Sequence, residues 1–305
     1  MKWTGVMPAI TTCFTQNNEV DYCFVAKHAQ WLLENGCAGI VALGSLGEGA
    51  TLTSEEKAGI LQSLAQQTRG KGFLVGAVSA LSTDEAVCLA RKAEAVGCDG
   101  LMILPPYVYQ GDWREMKSHV TTVLRATRLS CMLYNNPVAY GTDFTPAQIA
   151  ELAKEHENLQ AVKESSTDVR RVTAIRALLG DRLAIFVGVD DAILEGIAAG
   201  AVGWIAGLAD ALPRESVDLF NSGMDGSKQE ASELYRWFLP LLRLDTVPKF
   251  VQLIKLVQEE LGVGSARVRG PRMELTGSEL EGARSLIRES LRTRPSRRSF
   301  TFAGA

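Results

Sequence analysis

Lys163 ends an apolar run, Leu159-Gln160-Ala161-Val162, whereas most other lysines of this chain lie on polar faces of helical period. An amine at the end of a buried strand is partly desolvated, which disfavours the ammonium and frees a nucleophile for carbonyl or imine carbon. The competing reading is a structural lysine paired with Glu164. Tyr134 ends a second apolar run. Facing Lys163, its phenol could ferry protons while a carbinolamine forms and collapses; facing the core, it would be a packed tyrosine with a satisfied hydroxyl. Gly44-Ser45-Leu46-Gly47-Glu48-Gly49 offers exposed backbone N–H groups and the Ser45 hydroxyl, a cradle suited to a carboxylate. Gly188 and Gly207 follow two further runs without a basic neighbour, which argues against a phosphorylated substrate.

No metal is expected. His28, His119 and His156 fall in segments of helical pattern and read as ordinary helix or surface histidines, while Glu48, Asp190 and Asp191 are dispersed and lack histidine partners.

The elements that must position these residues are legible as a repeat. Short Val-, Ile- and Leu-rich runs lie near Val6–Ile10, Gly39–Leu43, Phe73–Val78, Gly100–Leu104, Ser130–Tyr134, Gln160–Lys163, Ala184–Val187 and Gly203–Ile205. Continuous apolar runs suit parallel strands buried on both faces. Between them stand amphipathic segments with helix signals: Asp21 to Asn35 stopping at Gly36, a capping box from Thr53 to Glu56, a start at Thr83 with a stop at Gly97, and Thr145 before Pro146. Eight strand–helix units predict an α/β fold, a (β/α)8 barrel with a C-terminal helical extension. An open doubly wound sheet would take fewer equivalent units, and no G-x-G-x-x-G opens the first helix. The expected division is a barrel over 1–225, a helical subdomain over 226–292 that is helical throughout, and a flexible basic tail over 293–305. Catalytic groups of such barrels sit at the C-terminal strand ends, where Ser45, Tyr134, Lys163 and Gly188 fall.

With 305 residues, 46% of them hydrophobic, the chain can bury a large core. A net charge of −3 with no basic patch argues against a nucleic-acid partner. The six cysteines are scattered, which predicts reduced thiols and a cytoplasmic protein. No signal peptide and no membrane-spanning run is expected.

Taken together, Gly44-Ser45-Leu46-Gly47-Glu48, Tyr134-Asn135-Asn136-Pro137 and Val162-Lys163-Glu164-Ser165-Ser166 resemble the dihydrodipicolinate synthase/N-acetylneuraminate lyase family, and the resemblance runs from Pro8-Ala9-Ile10-Thr11-Thr12 to the C-terminal helices. It implies a class I aldolase-type barrel, a homotetramer, with no cofactor, acting on a small 2-oxo acid or cyclic imino acid. It assigns the Schiff base to Lys163, proton relay to Tyr134, carboxylate binding to Ser45 and the Leu46 N–H, and a backbone carbonyl near the reacting centre to Ile205. Departures bear on substrate. The arginine that follows Tyr-Asn-x-Pro in the synthases is absent from Val138-Ala139-Tyr140-Gly141, Val108 stands where they carry a second tyrosine, and Leu46 replaces the second hydroxyl of their relay. Tyr235-Arg236-Trp237-Phe238, Leu244-Asp245, Pro248 and Gly188-Val189-Asp190-Asp191 are instead similar to the hydroxyproline-catabolic branch, which deaminates 1-pyrroline-4-hydroxy-2-carboxylate to 2,5-dioxopentanoate. The alternatives are dihydrodipicolinate synthase-like condensation and an aldolase or dehydratase acting on 2-keto-3-deoxy sugar acids.

Overall fold

A computed structural model describes residues 1–295. Eight strands, β1 (Gly5–Pro8), β2 (Gly39–Ala42), β3 (Phe73–Val78), β4 (Gly100–Ile103), β5 (Ser130–Asn135), β6 (Leu159–Glu164), β7 (Ala184–Val187) and β8 (Gly203–Ala206), form one parallel sheet. β1 pairs with β8, and a bridge between Ala9 and Val41 joins the remaining edges, so the sheet closes into a barrel. The expected strands all form, with ends shifted by one or two residues, as fraying at strand ends allows.

The helices are α1 (Tyr22–Glu34), α2 (Ser54–Thr68), α3 (Thr83–Val96), α4 (Trp113–Arg125), α5 (Pro137–Tyr140), α6 (Pro146–Glu155), α7 (Arg170–Leu179), α8 (Ile193–Ala198), α9 (Pro213–Met224), α10 (Lys228–Leu242), α11 (Phe250–Glu260) and α12 (Gly277–Arg292). Their starts follow the side-chain chemistry read from sequence. Thr53 and Thr145 accept from the backbone of Glu56 and Gln148, and both residues return the bond as capping boxes. Ser82 rather than Thr83 caps α3, and Gly97 ends it in the left-handed conformation.

Trp3 stands edge-to-face on Phe186 with ring centroids 6.0 Å apart, and Gly203 leaves room for the Phe186 ring within the barrel. The buried apolar residues form one cluster from Trp3 to Ile287, so the C-terminal helices share the barrel's core. The expectation that 226–292 is helical throughout is corrected: Leu261 to Thr276 runs without a helix. Gly262 and Gly264 end α11, and Gly270-Pro271 lies in the segment that follows. That stretch is useful to the fold because it carries Arg267, Arg269 and Arg272 back to the barrel. The basic tail lies largely outside the described residues, although Arg294 pairs with Glu215 of α9.

Candidate active site

β5 and β6 run in register, with Tyr134 beside Lys163 and Asn135 beside Glu164. Alternation along a strand then sorts the four side chains onto two faces. Glu164 bonds to Asn135 and ion-pairs with Arg171 of α7 at 3.2 Å. Lys163 points the other way, into the barrel mouth, with its Nζ 4.2 Å from the centroid of the Tyr134 ring. The reading of Lys163 as the partner of Glu164 is thereby excluded. Lys163 is 7% exposed and has no carboxylate within ion-pair distance among the described residues. The contact its ammonium makes directly is the cation–π approach to Tyr134.

Gly188, at the end of β7, makes room for this side chain. A Cβ there would lie 2.5 Å from Lys163 Cε and 2.0 Å from Ser165 Oγ, distances no real side chain tolerates. Ser165 Oγ is itself buried without a hydrogen-bond partner among the described residues. An unpaired buried hydroxyl beside a nucleophile is unusual enough to ask for a ligand. Ile205 lies buried on β8 in register with Met7 of β1.

The Ser45 hydroxyl hydrogen-bonds to the Tyr140 hydroxyl. Tyr140 is presented by α5, a single turn capped by Asn136 and opened by Pro137. Its ring meets those of Tyr134 and Tyr107 edge-on, at 5.8 and 5.5 Å between centroids. Burial, with the Tyr134 and Tyr107 phenols adding to it, pushes the Tyr140 hydroxyl well above the ordinary tyrosine range, so it stays protonated. Asn136 Nδ2 donates to Tyr134 Oη at 3.0 Å. Three phenols and one serine hydroxyl therefore form one cluster, which meets Lys163 at the Tyr134 ring. Sequence reasoning placed Tyr134 and Ser45 but missed Tyr140 and Ser165. The available signal for Tyr140 was an aromatic residue shortly beyond the Tyr134 strand end, in Val138-Ala139-Tyr140-Gly141.

The Gly44–Gly49 loop is held from behind. Leu43 and Glu48, both non-glycine, adopt left-handed backbone at φ 67° and 55°. Such conformations cost on the order of 1–3 kcal/mol each and persist only where the surroundings impose them. Glu48 is fully buried, accepts from Lys255 Nζ and from the Arg269 N–H at 2.9 Å each, and thus anchors the loop to the C-terminal segment. Leu46 is buried, and its N–H has no hydrogen-bond acceptor among the described residues.

Asp190 has a structural task. It accepts from Trp204 Nε1 at 2.9 Å and from the Gly207 and Leu208 N–H groups, which ties the ends of β7 and β8 together. Burial nevertheless raises its carboxyl to about 6, with the three donors and the Lys163 charge working against that rise. His28 and His119 lie in α1 and α4, as helix histidines, and His156 caps the end of α6; all three are buried, bonded to Asp210 O, Thr83 and Thr121. Among the described residues no three His, Cys, Asp or Glu side chains are grouped to hold a metal ion. The six cysteines are free thiols, Cys37, Cys98 and Cys131 of them buried. No described helix is long and apolar enough to cross a membrane.

The fold and the strand-end placement of Tyr134 and Lys163 define a (β/α)8 barrel of the class I aldolase type. The profile of the dihydrodipicolinate synthetase family matches residues 2–290, and the chain belongs to that family. The 4-hydroxy-tetrahydrodipicolinate synthase of Fervidobacterium nodosum is 30% identical over 279 residues, covering 92% of this chain and 95% of that one. The same-named protein of Methanocaldococcus jannaschii is 29% identical over 272 residues, covering 89% and 93%. The solved structure of the 4-hydroxy-tetrahydrodipicolinate synthase from Methylacidiphilum fumariolicum SolV superimposes with a TM-score of 0.90 at 26% identity, over 95% of this chain and 98% of that one.

Proposed function

We propose that Lys163 forms a Schiff base with a small 2-oxo acid or its cyclic imine, and that the reaction is dehydrating deamination of 1-pyrroline-4-hydroxy-2-carboxylate. The observation that carries the first half is the unpaired, nearly buried Lys163 amine against the Tyr134 ring. The second half rests on the α5 turn, which presents Ala139 and an inward Tyr140 phenol rather than a cation. A phenol bonded to Ser45 suits proton transfer and offers no counter-charge for a second substrate carboxylate.

In this reading the substrate carboxylate rests on the Ser45 hydroxyl and the Leu46 N–H, with Gly44 and Gly188 giving the backbone room to approach. Ile205 turns its backbone carbonyl toward the reacting carbon. Lys163 attacks C2, the ring opens, and the resulting iminium acidifies C3. Proton loss gives an enamine, which expels the C4 hydroxyl as water. Loss of a C5 proton into the extended iminium then places the nitrogen on an enamine carbon, and protonation at carbon turns it into an imine that water hydrolyses to ammonia and the aldehyde. Water releases 2,5-dioxopentanoate from Lys163. The iminium is the electron sink, and Tyr134, Tyr140 and Ser45 carry the protons.

A second reading is favoured by the relatives' name, 4-hydroxy-tetrahydrodipicolinate synthase: in this chain it would be condensation of an aldehyde with the Lys163-bound enamine. One assay separates the two. Purified protein incubated with the hydroxy-pyrroline carboxylate should release ammonia and the semialdehyde in equal amounts. Condensation of pyruvate with aspartate semialdehyde at a higher kcat/KM, without ammonia release, would establish the synthase reading instead.

The reading includes a homotetramer, a cytoplasmic location, and a barrel over 1–225 with a dependent helical subdomain over 226–292. Support for assembly comes from Leu81, Val108 and Val138, which are 68%, 93% and 72% exposed. Their loops are contiguous at the mouth, where the Tyr107 N–H donates to Ala80 O and Gln110 lies against Gly141. Apolar groups of that size in one place are what a second copy would cover.

A further inference from the structure

Asp245 comes from outside the barrel, at the end of a 3-10 turn over Arg243–Asp245 that follows α10. Its carboxylate lies at the inner end of β8. A Cβ added at Gly207 would fall 2.1 Å from Asp245 Oδ1 and 2.9 Å from Oδ2, so glycine at 207 is what admits the carboxylate. Gly203 and Ile205 precede Gly207 at intervals of two, and Gly203 faces the Phe186 ring inside the barrel. Gly207 follows β8 directly, so Asp245 is held at the C-terminal strand ends, where the Lys163 charge acts on it. The other acidic groups at this end are engaged. Asp190 is held by three donors, Asp191 pairs with Arg243, and Asp210 accepts from the Thr11 N–H through Oδ1, its Oδ2 being buried without a partner among the described residues. The Asp245 carboxylate has no hydrogen-bond or ion-pair partner among the described residues.

A half-buried carboxyl without a partner is costly unless it serves a ligand. The groups that act on it electrostatically are Asp190, Lys163, Asp210 and Asp191. Burial first, then the Asp190 charge, raise its carboxyl well above the usual range, while Lys163 opposes them. The protonated acid is thereby favoured, and a protonated acid donates a hydrogen bond.

We propose that Asp245 receives the C4 hydroxyl of a 2-oxo acid held on Lys163 and hands it a proton as it leaves. The assignment rests on the Schiff-base reading above. The step balances. The enamine nitrogen pair re-forms the C2 iminium, the C2=C3 pair becomes C3=C4, and the C4–O bond breaks with its electrons. The oxygen takes the Asp245 proton and departs as water, leaving the carboxylate to be reprotonated from solvent. Asp245 thus distinguishes substrates by what they carry beyond C3, a choice Lys163 cannot make.

The test uses two probes with sodium borohydride and intact-mass detection of the reduced adduct. Pyruvate has nothing beyond C3, and 4-hydroxy-2-oxobutanoate carries the C4 hydroxyl. The wild-type protein should be trapped at lower concentration of the hydroxylated probe. Asp245→Ala should cut that preference about tenfold, as loss of one hydrogen bond predicts, and Asp245→Asn, whose amide still donates, should cut it less. A preference unchanged in both variants would overturn the assignment. Proton donation is read separately on the hydroxy-pyrroline carboxylate. There Asp245→Asn should lower kcat about 100-fold and remove the alkaline limb of its pH profile, where an acid stops donating. Retention of that limb would refute the proton transfer. If the wild-type protein releases no ammonia from this substrate, the deaminase reading fails, and the two-probe trapping still decides Asp245.

Discussion

Two lysines of this chain are nearly buried and stand over aromatic rings, yet their surroundings make them different chemical objects. Lys255, on α11, is 1% exposed, donates to Glu48 at 2.9 Å and to Thr12 O at 2.8 Å, and lies 4.7 Å from the Phe14 centroid. Burial pulls its ammonium down and the Glu48 charge pushes it back up, so the pair holds its proton and stays locked. Lys163 lies 4.2 Å from the Tyr134 ring and pairs with no carboxylate among the described residues. The first lysine spends its charge on joining the Gly44–Gly49 loop to the C-terminal segment. The second is tied to no carboxylate and faces a phenol-lined mouth. Burial alone therefore does not make a lysine reactive; burial without a counter-ion does.

The sharpest way to break this comparison is to remove each lysine in turn. Lys163→Ala should lower turnover on the order of 1000-fold or more and abolish the borohydride-trapped adduct, with the unfolding midpoint near that of the wild type. A substrate-dependent adduct persisting in that variant would place the Schiff base elsewhere. Lys255→Ala should do the reverse. It strands Glu48 without compensation, and the expected loss is about 3–5 kcal/mol of unfolding free energy in urea. Lys255→Met together with Glu48→Gln should recover part of that loss, because the stranded charge is gone.

A third buried base, His28, sharpens the contrast through pH. Burial lowers its pKa to about 4 from 6.5, and its Nε2 lies 2.8 Å from Asp210 O. A group depressed in the folded state contributes stability above its unfolded pKa and loses it as pH falls through the folded value. His28 should therefore cost the fold about 3 kcal/mol between pH 6.5 and pH 4. Asp190, raised to about 6, works oppositely, since its protonated form is favoured in the fold and stability falls as pH rises through its window. The His28 share is isolated by the difference between wild type and His28→Asn in urea titrations across that range. Parallel curves for the two would show that His28 is not the titrating group. Smallest is Tyr140→Phe, which keeps the ring contacts and removes the hydroxyl bonded to Ser45. Its expected effect is about a 100-fold drop in kcat with KM little changed. An equal rise in KM instead would mark Tyr140 as a binding group.

Much of the barrel was legible because its signals are local. Thr53 with Glu56, Thr145 with Pro146, and Gly97 after the α3 pattern mark helix ends within four residues of chain. Continuous apolar runs at regular spacing then require a parallel sheet covered on both faces. Lys163 and Tyr134 were legible as well, since each ends such a run. Tyr140 was not, because its relation to Ser45 spans 95 residues and depends on how the α5 turn folds over the mouth. The Leu261–Thr276 stretch misled for a related reason: flanked by two helical segments, it holds its course through long-range bonds from Arg267 to Phe14 O and from Arg269 to Glu48, Thr51 and Asn18, which no local pattern encodes.

By itself, then, the amino-acid sequence determined the eight-fold repeat, the closed barrel and the strand ends that carry Tyr134 and Lys163, since periodicity and caps act over a turn or two of chain. Only the tertiary structure decided that Lys163 turns away from Glu164, that Tyr140 bonds Ser45, that Glu48 and Lys255 are mutual anchors, and that Asp245 enters past Gly207. Each is a question of which charge or hydroxyl ends beside which, and in a buried mouth that is settled by register and approach distance, which chain order does not contain.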